Sequence, residues 1–375
     1  MVRQKSIIGR ILHIILIFGT VFSAILLIFT YLSTVFNPNS VWWFSFFGLG
    51  APIIIVINIL LFLYWCIKWS KIAFIPLVLL ICGIGLIGRQ IQLPFFKHYD
   101  KKENSIKIIS YNAHIFYDMQ WQFSLYNIID FIKKEDPDIV CFQEYLTSET
   151  VTGDSIAQLL SSTLPYHHFF YINPNRNYNA AGLAIFSKHL IIRNKNIVFE
   201  EKSNGTIWSD LLIKGDTLRV FNNHLQTSSI DDKDRQFFTY DNLQELEDKN
   251  ALKQQFGKLT DILRKLKTNN QKRASQADSI ASIIKATPYR TIVCGDFNDV
   301  PLSYTYRRMK GDLHDTFKEK GKGYHYTFKE FFNLLKIDYI FHSDGLRTIN
   351  YYSPNIPWSD HNPVIAEIVI EKTSN

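Results

Sequence analysis

The sequence predicts an α/β domain, a mixed-sheet structure with helices on its outside, set behind an N-terminal membrane segment. Three observations predict it. No Asp, Glu, Lys or Arg occurs from Ile11 to Ile67. From Ser105 onward, short apolar runs of strand-forming residues alternate with amphipathic helical stretches. Between residues 227 and 286 the texture turns charged, Gln-rich and helical, an insertion too long for a structureless loop.

A helix needs about 20 apolar residues to cross roughly 30 Å of hydrocarbon. The charge-free stretch holds two such spans, at about 11–36 and 41–67, broken at "NPNS" (Asn37 to Ser40). Lys68 and Lys71 interrupt it, and a third span follows at about 72–92, giving a membrane domain over residues 1–95. Arg3, Lys5 and Arg10 before the first span would also suit a cleaved signal peptide, but the second and third spans argue against one. Basic residues before span one and between spans two and three put the N-terminus in the cytoplasm. Three crossings then place the rest of the chain outside it, on the periplasmic side. Arg89, Lys97, Lys101 and Lys102 oppose that orientation.

Residues 96–104 read as a linker, and a second domain runs from 105 to 375. "SIKIISYN" (Ser105 to Asn112) is its first strand. "LYNIIDFIKKEDPD" carries Ile128, Ile129 and Ile132 at helical spacing until Pro137 stops it. "IVCFQE" (Ile139 to Glu144) is the next strand, followed by "GLAIFSK", "DLLIKG", "LRVFNNHL", "TIVCGDFN", "IDYIFHS" and "VIAEIVI". The insertion at about 227–286 has "LTDILRKLK" and "SIASIIKA" as apolar seams.

The net charge of +7 belongs to the first 103 residues, which hold nine Lys or Arg against two Asp or Glu. The remaining 272 residues hold 32 of each sign, so global charge gives no support to a nonspecific polyanion binder. Cys66 and Cys82 lie in or beside apolar spans, and Cys141 and Cys294 lie inside expected buried strands. Their spacing suits neither a zinc site nor a disulfide framework.

Several apolar runs stop at an acid, amide or imidazole: Asn112, Glu144, His224, Asp296 with Asn298, and Asp360 with His361. Singly, such residues are most often solvated or turn-forming. Strand ends converge in space, however, and together these side chains form an oxygen-rich cup edged by imidazole. Mg²⁺ takes oxygen ligands, one or two of them carboxylates, and neutralises phosphate charge.

"SYN", "QE", "NNHL", "GDFND" and "SDHNPV", in this order, resemble the motif series of the endonuclease/exonuclease/phosphatase superfamily. The resemblance runs from about Ser105 to Ile370, with "GLAIFSK" and "KIDYIFHS" filling the intervening positions. It implies a four-layer α/β/β/α sandwich and hydrolysis of a phosphoester by water with Mg²⁺, Mn²⁺ being the alternative. Carried over residue by residue, it implies that Glu144 is the main metal carboxylate, with Asn112 beside it on metal or phosphate. Asp296 would orient or deprotonate the attacking water, and Asn298 would steady it and the transition state. His361 would contact the scissile phosphate while Asp338 holds its tautomer. His224 matches another phosphate-contacting histidine, and Asp360 a carboxylate that supports the metal site or holds a second ion.

Lys336 stands where the family often has arginine, which puts a supporting contact in doubt. No Asp-Arg pair of the inositol polyphosphate phosphatase kind lies near that strand. His167 and His168 are adjacent on a strand and should point to opposite faces, which argues against a metal pair. Lys265, Lys267, Lys272 and Arg273 read as a solvated helix face rather than a substrate clamp. Tyr304 and Tyr306 are left open between packing and pocket rim.

The resulting expectation is a membrane-anchored, metal-dependent phosphodiesterase-type hydrolase. Its partners are the lipid bilayer, through the N-terminal helices, and a phosphoester substrate, either a phospholipid head group or extracellular nucleic acid. A non-catalytic binding module on the same scaffold is the rival, and the presence of every motif residue argues against it. The sequence identifies no protein partner.

Overall fold

The computed structural model describes residues 7–93, 105–147, 151–171, 180–199, 204–230, 234 and 249–371. The expected linker at 96–104, with Lys97, Lys101 and Lys102, lies outside them.

In chain order the strands are β1 (Ile91–Gln92), β2 (Ser105–Asn112), β3 (Ile139–Thr147), β4 (Tyr166–Tyr171), β5 (Ala180–Ser187), β6 (Ile191–Val198) and β7 (Gly205–Ile213). There follow β8 (Asp216–His224), β9 (Arg290–Asp296), β10 (His314–Asp315), β11 (Gly323–Tyr324), β12 (Asp338–His342), β13 (Leu346–Tyr352) and β14 (Val364–Ile370). Two six-stranded mixed sheets result, in the orders β13-β14-β2-β3-β5-β4 and β10-β12-β9-β8-β7-β6. Each has one parallel pair near its middle, β2 with β3 and β8 with β9. Parallel neighbours end on the same side, so the polar tips of β2, β3, β8 and β9 gather at one end of the molecule.

Alternation along the strands builds three apolar layers. Ile106, Ile108, Cys141 and Ile185 of the first sheet meet Ile207, Val220, Ile292 and Cys294 of the second. Ile109, Val140 and Phe142 face outward, under Ile128, Ile132 and Ile156 of the helices Leu125–Glu135 and Gly153–Leu160. On the far side Phe221, Val293 and Phe341 lie under Ala277 and Ile280 of the insertion and Tyr306 and Met309. The order helix, sheet, sheet, helix is that of a two-sheet α/β sandwich. Both cysteines are buried and free.

The insertion forms one helix of 37 residues, Lys249–Lys285, while residues 231–233 and 235–248 lie outside the described ones. Its basic run departs from the expected solvated face at Arg273, which is 1% exposed. Its guanidinium donates to Gln226 O at 2.7 Å, Asn270 Oδ1 at 2.8 Å and Ser228 Oγ at 3.0 Å. Lys265 reaches Asp234 at 2.6 Å, and Lys267 lies over the Trp42 ring. Strands β6 and β13 were not read from the sequence. The burial of β6 lacks the alternation that marks a half-buried strand, because it is a charged edge.

Among the described residues, one helix is long and apolar enough to cross a membrane, Gly9–Leu32, 24 residues of mean hydropathy 2.7. The expected second span breaks at Gly50 into Phe44–Leu49 and Ala51–Ile67. The third runs only over Phe74–Cys82 and Ile84–Ile87 before β1 begins. Seventeen residues of helix reach about 26 Å, short of the roughly 30 Å of hydrocarbon. Gly50 and Gly83, rather than charge, break the two spans, which an apolar reading misses. Phe18, Phe22, Leu60, Ile67 and Ile84 are all exposed, a surface that water would not favour. The bundle is tied inward by Trp65 Nε1 to Thr20 at 2.8 Å and Asn58 Nδ2 to Ser23 Oγ at 2.8 Å. It also meets the sandwich: Ser33 Oγ donates to Leu302 O at 2.7 Å, and Asn37 Nδ2 to Asp278 at 3.2 Å and Tyr304 Oη at 3.0 Å. Tyr304 is therefore a docking contact. Tyr306 is a buried core residue whose hydroxyl donates to Asp315 at 2.6 Å.

Candidate active site

The site begins with Gly295, at φ 132°, where a side chain's Cβ would stand 2.0 Å from Asn223 O on the neighbouring β8. Only glycine lets β9 approach β8 so closely. Asp296 then closes the strand, opposite His224 on one side and Asp338 on the other. Phe297 turns outward among Tyr339 and Phe341 and anchors the loop. The chain does not continue extended. Asn298 adopts φ 53°, and its backbone N–H donates to Asp296 Oδ1 at 2.7 Å, a side-chain-closed turn. That turn brings Asn298 Nδ2 to Asp296 Oδ2 at 3.2 Å and to Leu225 O at 3.0 Å.

On the other sheet, the β3 register slips between Gln143 and Tyr145, and Glu144 at φ 50° leaves the ladder. Gln143 meanwhile crosses the interior to Asn222 Oδ1 at 2.6 Å and ties the two sheets together beneath the site. Asn112 bridges the halves: its Nδ2 donates to Glu144 Oε1 at 3.2 Å and Asp296 Oδ2 at 3.1 Å. Its Oδ1 accepts the His114 backbone N–H at 3.0 Å.

His361 arrives from the loop before β14. Its Nδ1 lies 2.8 Å from Asp338 Oδ2, which directs Nε2 toward Asp296 Oδ2 at 3.8 Å. Ser359 fixes this loop by donating to Asn112 O at 2.8 Å and accepting the His361 N–H at 3.0 Å. Thr327 Oγ1 accepts the Asp338 N–H at 3.1 Å, and the Phe328 ring lies 4.9 Å from the His361 ring. His224 Nε2 stands 3.7 Å from Glu144 Oε1 and 3.8 Å from Asp296 Oδ2. Asp360 sits on the rim, its Oδ2 3.9 Å from His114 Nε2.

Charge is concentrated here in little water. Burial and the Asp360 charge push the Glu144 carboxyl up. Burial and Asp338 push Asp296 up to about 6. Burial lowers the His224 imidazolium. Burial also works against a charged His361, but Asp338, Asp360 and Asp296 outweigh it and hold that ring well above its usual range.

All of Asn112, Glu144, His224, Asp296, Asn298, Asp338 and His361 thus meet in one cluster, with Asp360 at its edge. The tightest grouping of ligand atoms is Asp296, Asp338 and His361, mutually within 4.8 Å. This is a different subset from Glu144, Asn112 and Asp360, which the resemblance assigned to metal. The donors are oxygen and imidazole, and Asp338 Oδ1 and His224 Nε2 are buried without a hydrogen-bond partner among the described residues. Crowded acids with unfilled lone pairs fit a hard divalent cation.

His168 is buried between Ser209 Oγ at 3.0 Å and Asn196 Oδ1 at 2.8 Å, while His167 stacks on Phe169. The pair points to opposite faces, as expected. Lys336 is buried with its ammonium 3.7 Å from the Phe317 ring centroid and 3.9 Å from Asp315 Oδ2. Ser359, Thr327 and Arg273, whose guanidinium lies 3.6 Å from Asp299 Oδ2, are supports that sequence reading missed. Ser359 lies in the "SDHN" motif and was open to notice. Thr327 carries no signal of its own.

The chain matches the Endonuclease/Exonuclease/phosphatase family over residues 109–361, and a domain of unknown function, DUF8431, over residues 13–90. No curated protein matches it. It is similar to the solved endonuclease/exonuclease/phosphatase from Beutenbergia cavernae DSM 12333, at 13% identity over 72% of each chain, TM-score 0.50. It is also similar to the endonuclease/exonuclease/phosphatase family protein from Leptotrichia buccalis C-1013-b, at 16% identity over 70% of this chain and 99% of that one, TM-score 0.50. These two likenesses concern the fold.

Proposed function

Because the chain belongs to the endonuclease/exonuclease/phosphatase family, we propose that it is a divalent-metal-dependent phosphoester hydrolase held at a membrane by its N-terminal helices. The observation that carries this reading is the buried His361–Asp338 pair facing Asp296, at the point where Asn112 joins both sheets. Glu144, Asn112 and Asp360 hold Mg²⁺, or Mn²⁺ in its place, and the ion supplies charge neutralisation at the phosphate. Asp296 orients the attacking water and accepts its proton. Asn298 and His224 hold the phosphate oxygens, and His361, oriented through its Nδ1 by Asp338, places its Nε2 on the scissile group.

A phospholipid head group is the favoured substrate, since the helices keep the site beside a bilayer and the domain's charge is balanced. Nucleic acid is the alternative. The basic residues near the first helix support a catalytic domain outside the cytoplasm, which a reporter fused after residue 100 would read. Purified full-length protein in detergent should hydrolyse bis(4-nitrophenyl) phosphate with Mg²⁺ and stop on chelation. Asp296→Asn and His361→Ala should each lower kcat by about 10²–10⁴-fold. Equal rates for wild type and both variants would overturn the reading.

A further inference from the structure

The loop that leaves the site ends inside the N-terminal bundle. Asp296 and Asn298 open it, and Leu302, six positions after Asp296, is fully buried among Leu27, Ala51, Ile54 and Ile55. Ser33 Oγ donates to Leu302 O at 2.7 Å, and Arg89 Nη1 to Pro301 O at 3.4 Å. The seat is closed by Gly48, in the helix Phe44–Leu49, where a side chain's Cβ would stand 2.3 Å from Leu302 O and 2.9 Å from Ser33 Oγ. Glycine alone lets that helix lie so close to the loop backbone.

The bundle also grips the insertion helix Lys249–Lys285. Asn270 Nδ2 donates to Ser45 Oγ at 2.9 Å, Asn39 Nδ2 to Ser275 Oγ at 3.1 Å, and Gln271 Nε2 to Pro38 O at 3.3 Å. Arg273, within this gripped stretch, reaches both catalytic segments. Its Nε donates to Gln226 O, two residues past His224, at 2.7 Å, and its Nη1 stands 3.6 Å from Asp299 Oδ2, next to Asn298. The same Nη1 donates to Asn270 Oδ1 at 2.8 Å, so Ser45, Asn270, Arg273 and Asp299 form one polar chain from the bundle to the loop. A simple tether needs no contact with the chemistry. This bundle makes two, one apolar through Leu302 and one polar through Arg273, and both end on the loop of Asp296 and Asn298. Asn298 sits at φ 53°, a left-handed conformation that its surroundings must hold.

We propose that the helical bundle is a working part of the active site, in which Leu302, seated at Gly48, and Arg273, on the gripped helix, are positioning residues. They hold Asp296 and Asn298 in place against His224 and His361. The consequence for catalysis rests on the phosphoesterase reading, whereas the holding of the loop does not. A displacement of about 1 Å at a reacting group costs on the order of 10²-fold in rate, so a loosened seat acts on the chemical step and spares substrate affinity.

The test uses full-length protein in detergent and two readings, Mg²⁺-dependent hydrolysis of bis(4-nitrophenyl) phosphate and hydrogen–deuterium exchange followed by mass spectrometry. Leu302→Ala empties the seat, Gly48→Ala fills it, and Ser33→Ala removes one bond to the loop. Leu302→Ala and Gly48→Ala should each lower kcat by about 10- to 100-fold with KM within about twofold of wild type. Ser33→Ala should lower kcat by about threefold, and Leu302→Met, which refills the seat, should stay within about threefold of wild type. In the two severe variants residues 297–303 should exchange at least about tenfold faster, while β2 and β14 keep the wild-type rate. Wild-type kcat in both, faster exchange spread evenly over the sandwich, or a loss of kcat without faster exchange in the loop would overturn the proposal. If neither severe variant folds, Ser33→Ala decides, and wild-type kcat with wild-type exchange in it removes the proposal. If wild type hydrolyses nothing, the phosphoesterase reading fails and exchange alone decides: acceleration confined to residues 297–303 sustains the holding of the loop, and unchanged or evenly spread exchange removes it.

Discussion

Three N–H groups point at the Asp296 carboxylate, from the Asn298 backbone, the Asn298 amide and the Asn112 amide. Each favours the charged form, yet burial and Asp338 prevail and the acid titrates at about 6. A cation entering the site adds positive charge beside both Asp296 and the upshifted Glu144, so it must displace a proton from Asp296 whenever the pH lies below that value. Mg²⁺ affinity should therefore be level above pH 7 and weaken as pH falls through 6, by up to about tenfold per pH unit for each proton displaced. Calorimetry in two buffers of different ionisation enthalpy should give a larger difference in heat at pH 5.5 than at pH 7.5. Glu144→Gln should weaken binding at pH 7.5 at least tenfold, and Asp338→Asn by less than threefold. The reverse order would move the ion to the Asp296, Asp338 and His361 grouping. Asp296 and Glu144 were legible in the sequence because each ends an apolar run, whereas Asp338 was placed only by the family resemblance. Thr327 and Arg273 were not, because a hydroxyl or guanidinium that supports another residue through space leaves no periodic trace.

At the scale of elements, the site depends on two departures from regular strand: the slip at Glu144 and the tight approach at Gly295. Gly295→Ala would put a methyl carbon 2.0 Å from Asn223 O at a φ of 132°. Separation of β9 from β8 is the expected response, with a loss of at least about 2 kcal/mol. For a domain of this size that is a fall in Tm of roughly 4 °C or more, read by thermal melting. Unchanged melting would mean that the β8–β9 contact is looser than described. The succession of strands along the chain could be followed from the sequence because β2, β3, β8, β9, β12 and β14 are apolar runs with marked ends. β6 and β13 escaped because both are edge strands that pair along one side only, and β6 is polar and exposed along most of its length. The helices over the second and third spans are shorter than expected for another reason. Apolarity sets which residues avoid water, whereas Gly50 and Gly83 set where a helix stops.

At the scale of the whole molecule, charge and apolar surface are divided unevenly along the chain. The basic excess lies in the first 103 residues, beside the helix able to cross a membrane, and the remainder is balanced at 32 against 32. The two substrate classes answer this division differently. A protein that grips a duplex through several phosphates loses affinity with a log–log salt slope of about −0.9 per phosphate, roughly 10³–10⁵-fold between 50 and 200 mM for six to ten contacts. On the proposed reading, a balanced domain would hold a single phosphate between His224, Asn298 and His361 and would have few counterions to release. The kcat/KM of full-length protein on a single-phosphate head-group ester should therefore change by no more than about threefold over that range. Duplex DNA and RNA, measured beside it at 50 mM salt, should be cut at least 100-fold less efficiently. Efficient duplex cleavage that collapses toward 200 mM would instead assign the site to nucleic acid, and the bundle would then be a tether with no part in choosing the substrate.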